Sequence, residues 1–496
     1  MAVPFERTAG MAIRIILIIA MPVNALFAQG NPVYSLADLV DSARHHLPLL
    51  MERQALVSSA QAGITEARHA YLPKLNVAEE LSIGTDNDMS GSFIPLPGIV
   101  HTISGGVTAA NNYQGASSNL GSLYGEYELV NFGLRGARVN NAKAFASVKQ
   151  ADLDKETYLV EWQIGRLYFE ILKNRSLLSV DEQNILRYQA MYTISRALTS
   201  TGVNAGVDSS LAKAGLSKTR VSYNQEERAL QRLQQELSML TGIGTPAINL
   251  DTTGKKWEVS AAGLLGSQEG DGGNPSAAGR DSLAGGRYSP DAGRDSLGVG
   301  HNPLAEYYAR QIAQYHSEED LIRKSYLPKI MVGAGGWARG SSIQYSNDYK
   351  NLSEGLGYQR LNYLAGVGIT YDLFSGVHKK DRLAVTGYQT TAAGYALQQE
   401  ELELHNQVLQ AEEDLQMAQK NLAELPVQLQ AATAAYNQKL AQYKAGIIDL
   451  VDLTNASFVL YQSQSDYIEA LNVWYMASLD KSAATGNLDL FIQTVK

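Results

Sequence analysis

The heptapeptide YLPKLNV at Tyr71–Val77 returns as YLPKIMV at Tyr326–Val332, 255 residues further along a chain of 496. The copying is not confined to this phrase. Pro48 and Pro303 each precede it by 23 residues, and GEYELVNFG at Gly125–Gly133 resembles GITYDLFSG at Gly368–Gly376. Tyr127 and Tyr371 differ by 244, as do Gly202 and Gly446, Asp208 and Asp452, and Thr241-Gly242 and Thr485-Gly486. The offset slips by one at Gly133 and Gly376, then returns. Two nearly ungapped copies of one unit therefore make up most of the chain. The change from 255 to 244 falls between the YLPK phrase and the Tyr-acidic-Leu phrase, which marks that segment as a loop of variable length.

Each copy has the same internal order. A helical segment (36–70 and 303–325) leads to two strand-like stretches with a loop between them. A long helical segment (134–200 and 377–443) comes next, then a break and a last helix. The strands are read from alternation. Leu75, Val77, Leu81 and Ile83 share a face opposite Asn76, Glu80 and Ser82, with Glu79 interrupting the apolar side. Tyr363, Ala365, Val367, Ile369, Tyr371 and Leu373 alternate with Leu364, Gly366, Gly368, Thr370 and Asp372. Period two with one apolar face predicts strands with one wet side. Their length suits tilted membrane-crossing strands. The long segments keep another period: Val160, Ile164, Leu167, Ile171, Leu178, Ile185, Tyr188 and Tyr192 make a heptad stripe. Pro426 predicts a kink or change of pitch in the second rod.

The repeated phrase sits where each helix should stop and each strand begin. Proline disfavours helical geometry in the residue before it, so Tyr71 and Pro73, and Tyr326 and Pro328, are read as helix-to-strand junctions. The neighbouring tyrosine and lysine suit a membrane interface.

The ends and the middle read differently. Arg7 and Arg14 precede an apolar run at Ile15–Ala28, too short for a comfortable bilayer span. Residues 1–28 are read as a secretory signal cut after Ala28, with an uncleaved anchor helix as the alternative. The first copy then occupies 29–242, a linker 243–301 and the second copy 302–496. Within the linker, 266–300 is rich in Gly, Ser, Asp and Ala and carries AGRDSL twice, which reads as a flexible insertion or, alternatively, a tandem ligand motif.

Composition narrows the function. There is no cysteine, which excludes disulfides and thiolate metal sites. The net charge is −9 with no basic block, which argues against a nucleic-acid partner. GAGGWA at Gly333–Ala338 fits a dinucleotide fingerprint, but the next residues, RGSSIQYSND, do not open a helix. His45 and His46 are adjacent and point apart on a helix, so no metal site is expected. The expectation is a non-enzyme without cofactor.

The repeat order, the Tyr-Leu-Pro junction, the Tyr-acidic-Leu…Gly strand exit and the signal together resemble the TolC-like outer-membrane efflux channels over nearly the whole mature chain. That resemblance implies an α+β membrane protein: a homotrimer whose four strands per protomer close one twelve-stranded barrel in outer-membrane lipid, above a long α-helical barrel in the periplasm. It implies the outer-membrane channel of a tripartite efflux or type I secretion system. A periplasmic adaptor protein and an inner-membrane transporter would be its partners. Independently, strands with open edges cannot stand alone in a bilayer, and oligomerisation is one remedy; the pattern itself does not set the number at three. The same resemblance places the periplasmic tips at Ser200–Ser210 and Gln442–Ala456. Gly202, Val203, Gly446 and Ile447 would dock the adaptor. Asp208 and Tyr443 would make an inter-hairpin gate contact, while Asp452 and Asn455 would line a constriction, with Asn455 and Ile448 departing from the family's charged residues. Asp208 and Asp452 read equally well as helix caps. A stand-alone porin and a structural periplasmic coiled coil are the competing classes; the long rods weigh against the first and the alternating strands against the second.

Overall fold

A computed structural model describes residues 33–87, 107–200, 206–245, 249–250 and 302–495. The signal segment, the 266–300 insertion, Gly202 and Val203 lie outside the described residues.

The first copy contains β1 (Val33–Tyr34), α1 (Leu36–His46), α2 (Pro48–His69), β2 (Lys74–Gly84), β3 (Ala116–Val130), α3 (Leu134–Ser200) and α4 (Gly206–Thr241). After β4 (Asn249–Leu250) come α5 (Pro303–Ser325), β5 (Lys329–Ser341), short β6 (Ile343–Gln344) and β7 (Asp348–Tyr349), β8 (Arg360–Thr370), α6 (Ser375–Lys444), α7 (Leu450–Ala484) and α8 (Leu488–Thr494). The first helical segment is thus two helices rather than one. Leu47 is extended (φ −74°, ψ 117°) because Pro48 comes directly after it, and Pro48 opens α2. In both copies the strand starts at the lysine directly after Tyr-Leu-Pro.

The sheet order is β2-β3-β5-β8, all antiparallel, with β2 and β8 at the edges. Its register assigns the side chains to two faces. One face carries Leu75, Val77, Leu123, Val332, Tyr363, Val367 and Ile369; the other carries Asn76, Glu80, Ser122, Glu126, Arg339 and Asn362. Glu79, on the apolar face, accepts a hydrogen bond of 2.6 Å from the Tyr358 hydroxyl, which the β5–β8 loop brings over it. Strand β8 ends at Thr370, so Tyr371 and Leu373 fall outside it, and α6 starts at Ser375 rather than Val377. GAGGWA lies within β5, where Gly333 and Gly335 leave room for the Tyr124 ring. A Cβ at Gly333 would sit 2.7 Å from the Tyr124 hydroxyl oxygen.

Helices α3 and α6, of 67 and 70 residues, reach roughly 100 Å at 1.5 Å per residue. They run the length of the helical wall. Next to the sheet its order is α2, α3, α5, α6; beyond that, α4, α3, α7, α6. Helix α6 continues through Pro426. The proline sits between two apolar clusters that hold its flanks, Leu422 in one and Leu429 in the other. Among the described residues no helix is long and apolar enough to cross a membrane.

The larger cluster gathers α1, α3, α7 and α8 around Phe169, which stacks on Tyr475 at 4.9 Å. Here α3 buries more than the heptad stripe: Tyr168, Phe169 and Leu172 join Ile164, Leu167 and Ile171 because helices pack on several sides. Glu161, 3% exposed, is clasped by Arg44 at 2.6 Å, and Arg44 also reaches Asp489 at 3.1 Å. Burial pushes the Glu161 carboxyl up and Arg44 works against it.

Candidate functional site

The end of the second hairpin is built by two capping devices. At the end of α6, Gly446 takes φ +70°; its amide donates to the Tyr443 carbonyl at 3.0 Å and the Ile447 amide to the Gln442 carbonyl at 3.0 Å. This pair of bonds closes the helix and explains the glycine, since a left-handed φ strains other residues. Gly486, its counterpart after α7, ends that helix with the same pair of bonds. At the start of α7 the cap is Asp449, whose Oδ1 accepts from the Asp452 amide at 2.9 Å. Asp452 is therefore not the cap. Its carboxylate pairs with Lys439 Nζ at 3.0 Å across the hairpin. Sequence reading missed both Asp449 and Lys439, although an aspartate just before the apolar pair Leu450-Val451 is a cap signal. Asp208 lies in the first turn of α4, half-buried, and Asn455 is exposed one turn after Asp452.

Tyr443 is fully buried. It sits in the smaller apolar cluster with Met191 of α3, Ala212 of α4, and Tyr436, Leu450 and Leu453 of α6 and α7. The side chain thus lies in the seam joining the two hairpins of one chain, and Ile448 packs on the same cluster. Around it Val207, Leu211, Ile447 and Val451 are exposed, Ile447 by 72%. Further up the seam, Asp181 is 2% exposed. Burial pushes its carboxyl up, although the Tyr461 hydroxyl donates to it. Arg187 lies among Tyr188, Tyr436 and Tyr461, and burial pulls its guanidinium down.

At the other end, Tyr71 is buried beneath Arg135 and Arg138, whose guanidinium carbons lie 5.4 and 5.6 Å from its ring centre. Pro73 is exposed, and Tyr326 and Pro328 are half-buried.

The family model described as "Outer membrane efflux protein" matches residues 39–243 and 308–487. The chain belongs to the outer membrane efflux protein family. This bears out the resemblance carried by the repeated phrases, with the outer-membrane placement that came with it, and the family is not one of enzymes. A curated relative, the probable efflux pump outer membrane protein TtgC of Pseudomonas putida, is 27% identical over 145 residues. That match spans 28% of this chain and 30% of the relative. Among solved structures, the outer membrane protein VceC of Vibrio cholerae superposes with a TM-score of 0.67 at 14% identity, covering 91% of this chain and 96% of VceC. The CmeC outer membrane channel of Campylobacter jejuni gives 0.68 at 13%, covering 91% and 86%. The fold of this outer membrane efflux protein is therefore that of outer-membrane channels.

Proposed function

We propose that three copies of this chain close into one outer-membrane conduit. The carrying observation is that both layers end in free edges on the same two sides. In the sheet these are β2 and β8; in the helical wall they are α2 with α4, and α6. An amphipathic sheet with open edges leaves backbone groups unpaired in lipid, and closure removes that cost. The free side of α6 carries Tyr388, Tyr395, Leu402 and Leu409, all exposed and each seven residues from the last. Such a stripe packs into a neighbouring helix. With four strands per copy, three copies make the twelve-stranded barrel that the family resemblance implies.

The conduit would serve as the outer-membrane channel of a tripartite efflux or type I secretion system, with cargo selected by the inner-membrane transporter. The exposed Val207, Leu211, Ile447 and Val451 at the hairpin ends suit docking by a periplasmic adaptor. The name of one relative, "antibiotic efflux pump outer membrane protein", supports small-molecule efflux over polypeptide export. Light scattering on detergent-solubilised protein should return a trimer, and reconstituted protein should conduct ions in planar bilayers. A monodisperse monomer would sink the closed-barrel reading.

The entrance then has a specific electrostatic expectation. Asp452 and Lys439 are both substantially exposed, so their pair is screened and contributes only ~0.5 kcal/mol, yet it cancels much of the carboxylate's charge. Asp452→Asn should shift block by multivalent cations by less than about twofold, while Lys439→Gln should strengthen it. A large loss of block in Asp452→Asn would mean that the carboxylate is unpaired in the assembled entrance.

A further inference from the structure

The polar face of the sheet is not evenly charged. The ladder places Glu80, Leu120, Arg339 and Arg360 in one cross-strand row, with Arg339 and Arg360 directly opposite each other on β5 and β8. Arg339 is near the end of β5 and Arg360 opens β8, so the row lies at the end of the sheet away from the helices. Like charges directly opposite destabilise a strand pair. Both arginines are exposed, and no carboxylate of the described residues lies within ion-pairing distance of either. Glu80 is two strands from Arg339, about 10 Å at ~4.8 Å per strand. The remaining charges of this face, Lys74, Glu126, Glu128 and Lys329, lie at the helix end, where Lys74 pairs with Glu126 at 3.0 Å.

Beside the row is a groove of about 350 Å³ lined by Leu120, Tyr124, Trp337, Arg339 and Leu364. Gly333 and Gly335 let the Tyr124 ring lie flat on the sheet here, and Trp337 projects on the same face two residues before Arg339. The β5–β8 loop does not cover it. That loop folds over the opposite face, where a Cβ on Gly121 would strike Tyr358 and one on Gly340 would strike Gly357. The groove therefore offers aromatic and aliphatic walls with Arg339 in its lining and Arg360 directly opposite Arg339 on the next strand.

We infer that this groove is an exit subsite for aromatic organic anions, the ring lying against Trp337 and Tyr124 and the carboxylate or sulfonate between Arg339 and Arg360. The inference rests on the closed-barrel reading, which turns this face toward the lumen. A bound anion relieves the repulsion between the two arginines and accepts charge-assisted hydrogen bonds from both. Three copies place six guanidinium groups against three Glu80 carboxylates along this row, so the row itself favours an anion.

The test is current block in planar bilayers with 2-naphthalenesulfonate added on the outer side, against 2-naphthylmethylammonium as the cation of similar shape. The sulfonate should block and the ammonium should not. Arg339→Gln with Arg360→Gln should weaken sulfonate block by about tenfold or more, since the anion loses its charge-assisted hydrogen bonds to both guanidinium groups. Arg339→Lys with Arg360→Lys should retain part of it, and Trp337→Ala should weaken it. A conducting trimer blocked equally by both probes, or one indifferent to loss of the arginines, overturns the subsite alone. A non-conducting monomer overturns the barrel reading and the subsite with it.

Discussion

Phe169→Ala should destabilise the chain by about 3–5 kcal/mol, the range for deleting a large aromatic ring from a core that relaxes only in part. The ring is completely buried. It stacks on Tyr475 at 4.9 Å, meets Phe491 edge-on at 6.0 Å, and sits where α1, α3, α7 and α8 converge. Its ring partners Tyr168, Tyr475 and Phe491 are held by three separate helices, α3, α7 and α8. Denaturant unfolding of detergent-solubilised protein should show a lower midpoint with an unchanged slope. A loss below about 1 kcal/mol would mean that the cluster collapses around the hole and that Phe169 is not its keystone.

Tyr443→Ala should raise the resting conductance of reconstituted channels several-fold, with trimer yield retained. Tyr443 is the largest fully buried side chain of the seam between the two hairpins of a protomer, so its removal costs about 3 kcal/mol where the hairpins are held together. Tyr443→Phe keeps the ring and deletes the hydroxyl. Its smaller effect would assign closure to apolar packing around Met191, Ile448, Leu450 and Leu453. An equal effect of the two substitutions would assign it to the hydroxyl instead. If neither changes conductance, the seam does not hold the entrance closed.

The periodic parts of this protein were legible because period is a local property. Seven-residue spacing at Val160, Ile164, Leu167 and Ile171 announces a packed rod, and all four side chains are buried. Two-residue alternation at Leu75 and Val77 announces a sheet with one apolar face, and the register confirms which residues share it. The Tyr-Leu-Pro phrase was equally readable, because proline acts on the residue directly before it. Glycine at the end of α6 could be placed for the same reason, since only a few neighbouring bonds decide its left-handed turn.

What the chain's own order could not disclose is which distant groups meet. Asp452 reads from its neighbourhood as a cap or a free carboxylate, but the hairpin returns Lys439 to it from 13 residues away and Asp449 takes the capping role. Glu79 looks like a flaw in an apolar strand until a loop 279 residues later brings the Tyr358 hydroxyl over it. Arg339 and Arg360 are unrelated positions until antiparallel pairing of β5 and β8 sets them opposite each other. Local spacing determined the elements and their order, because helix and strand periods depend on nearest neighbours along the chain. Only the tertiary structure decided the pairings, because hydrogen bonds and ion pairs depend on distances through space that the register of sheet and hairpin creates.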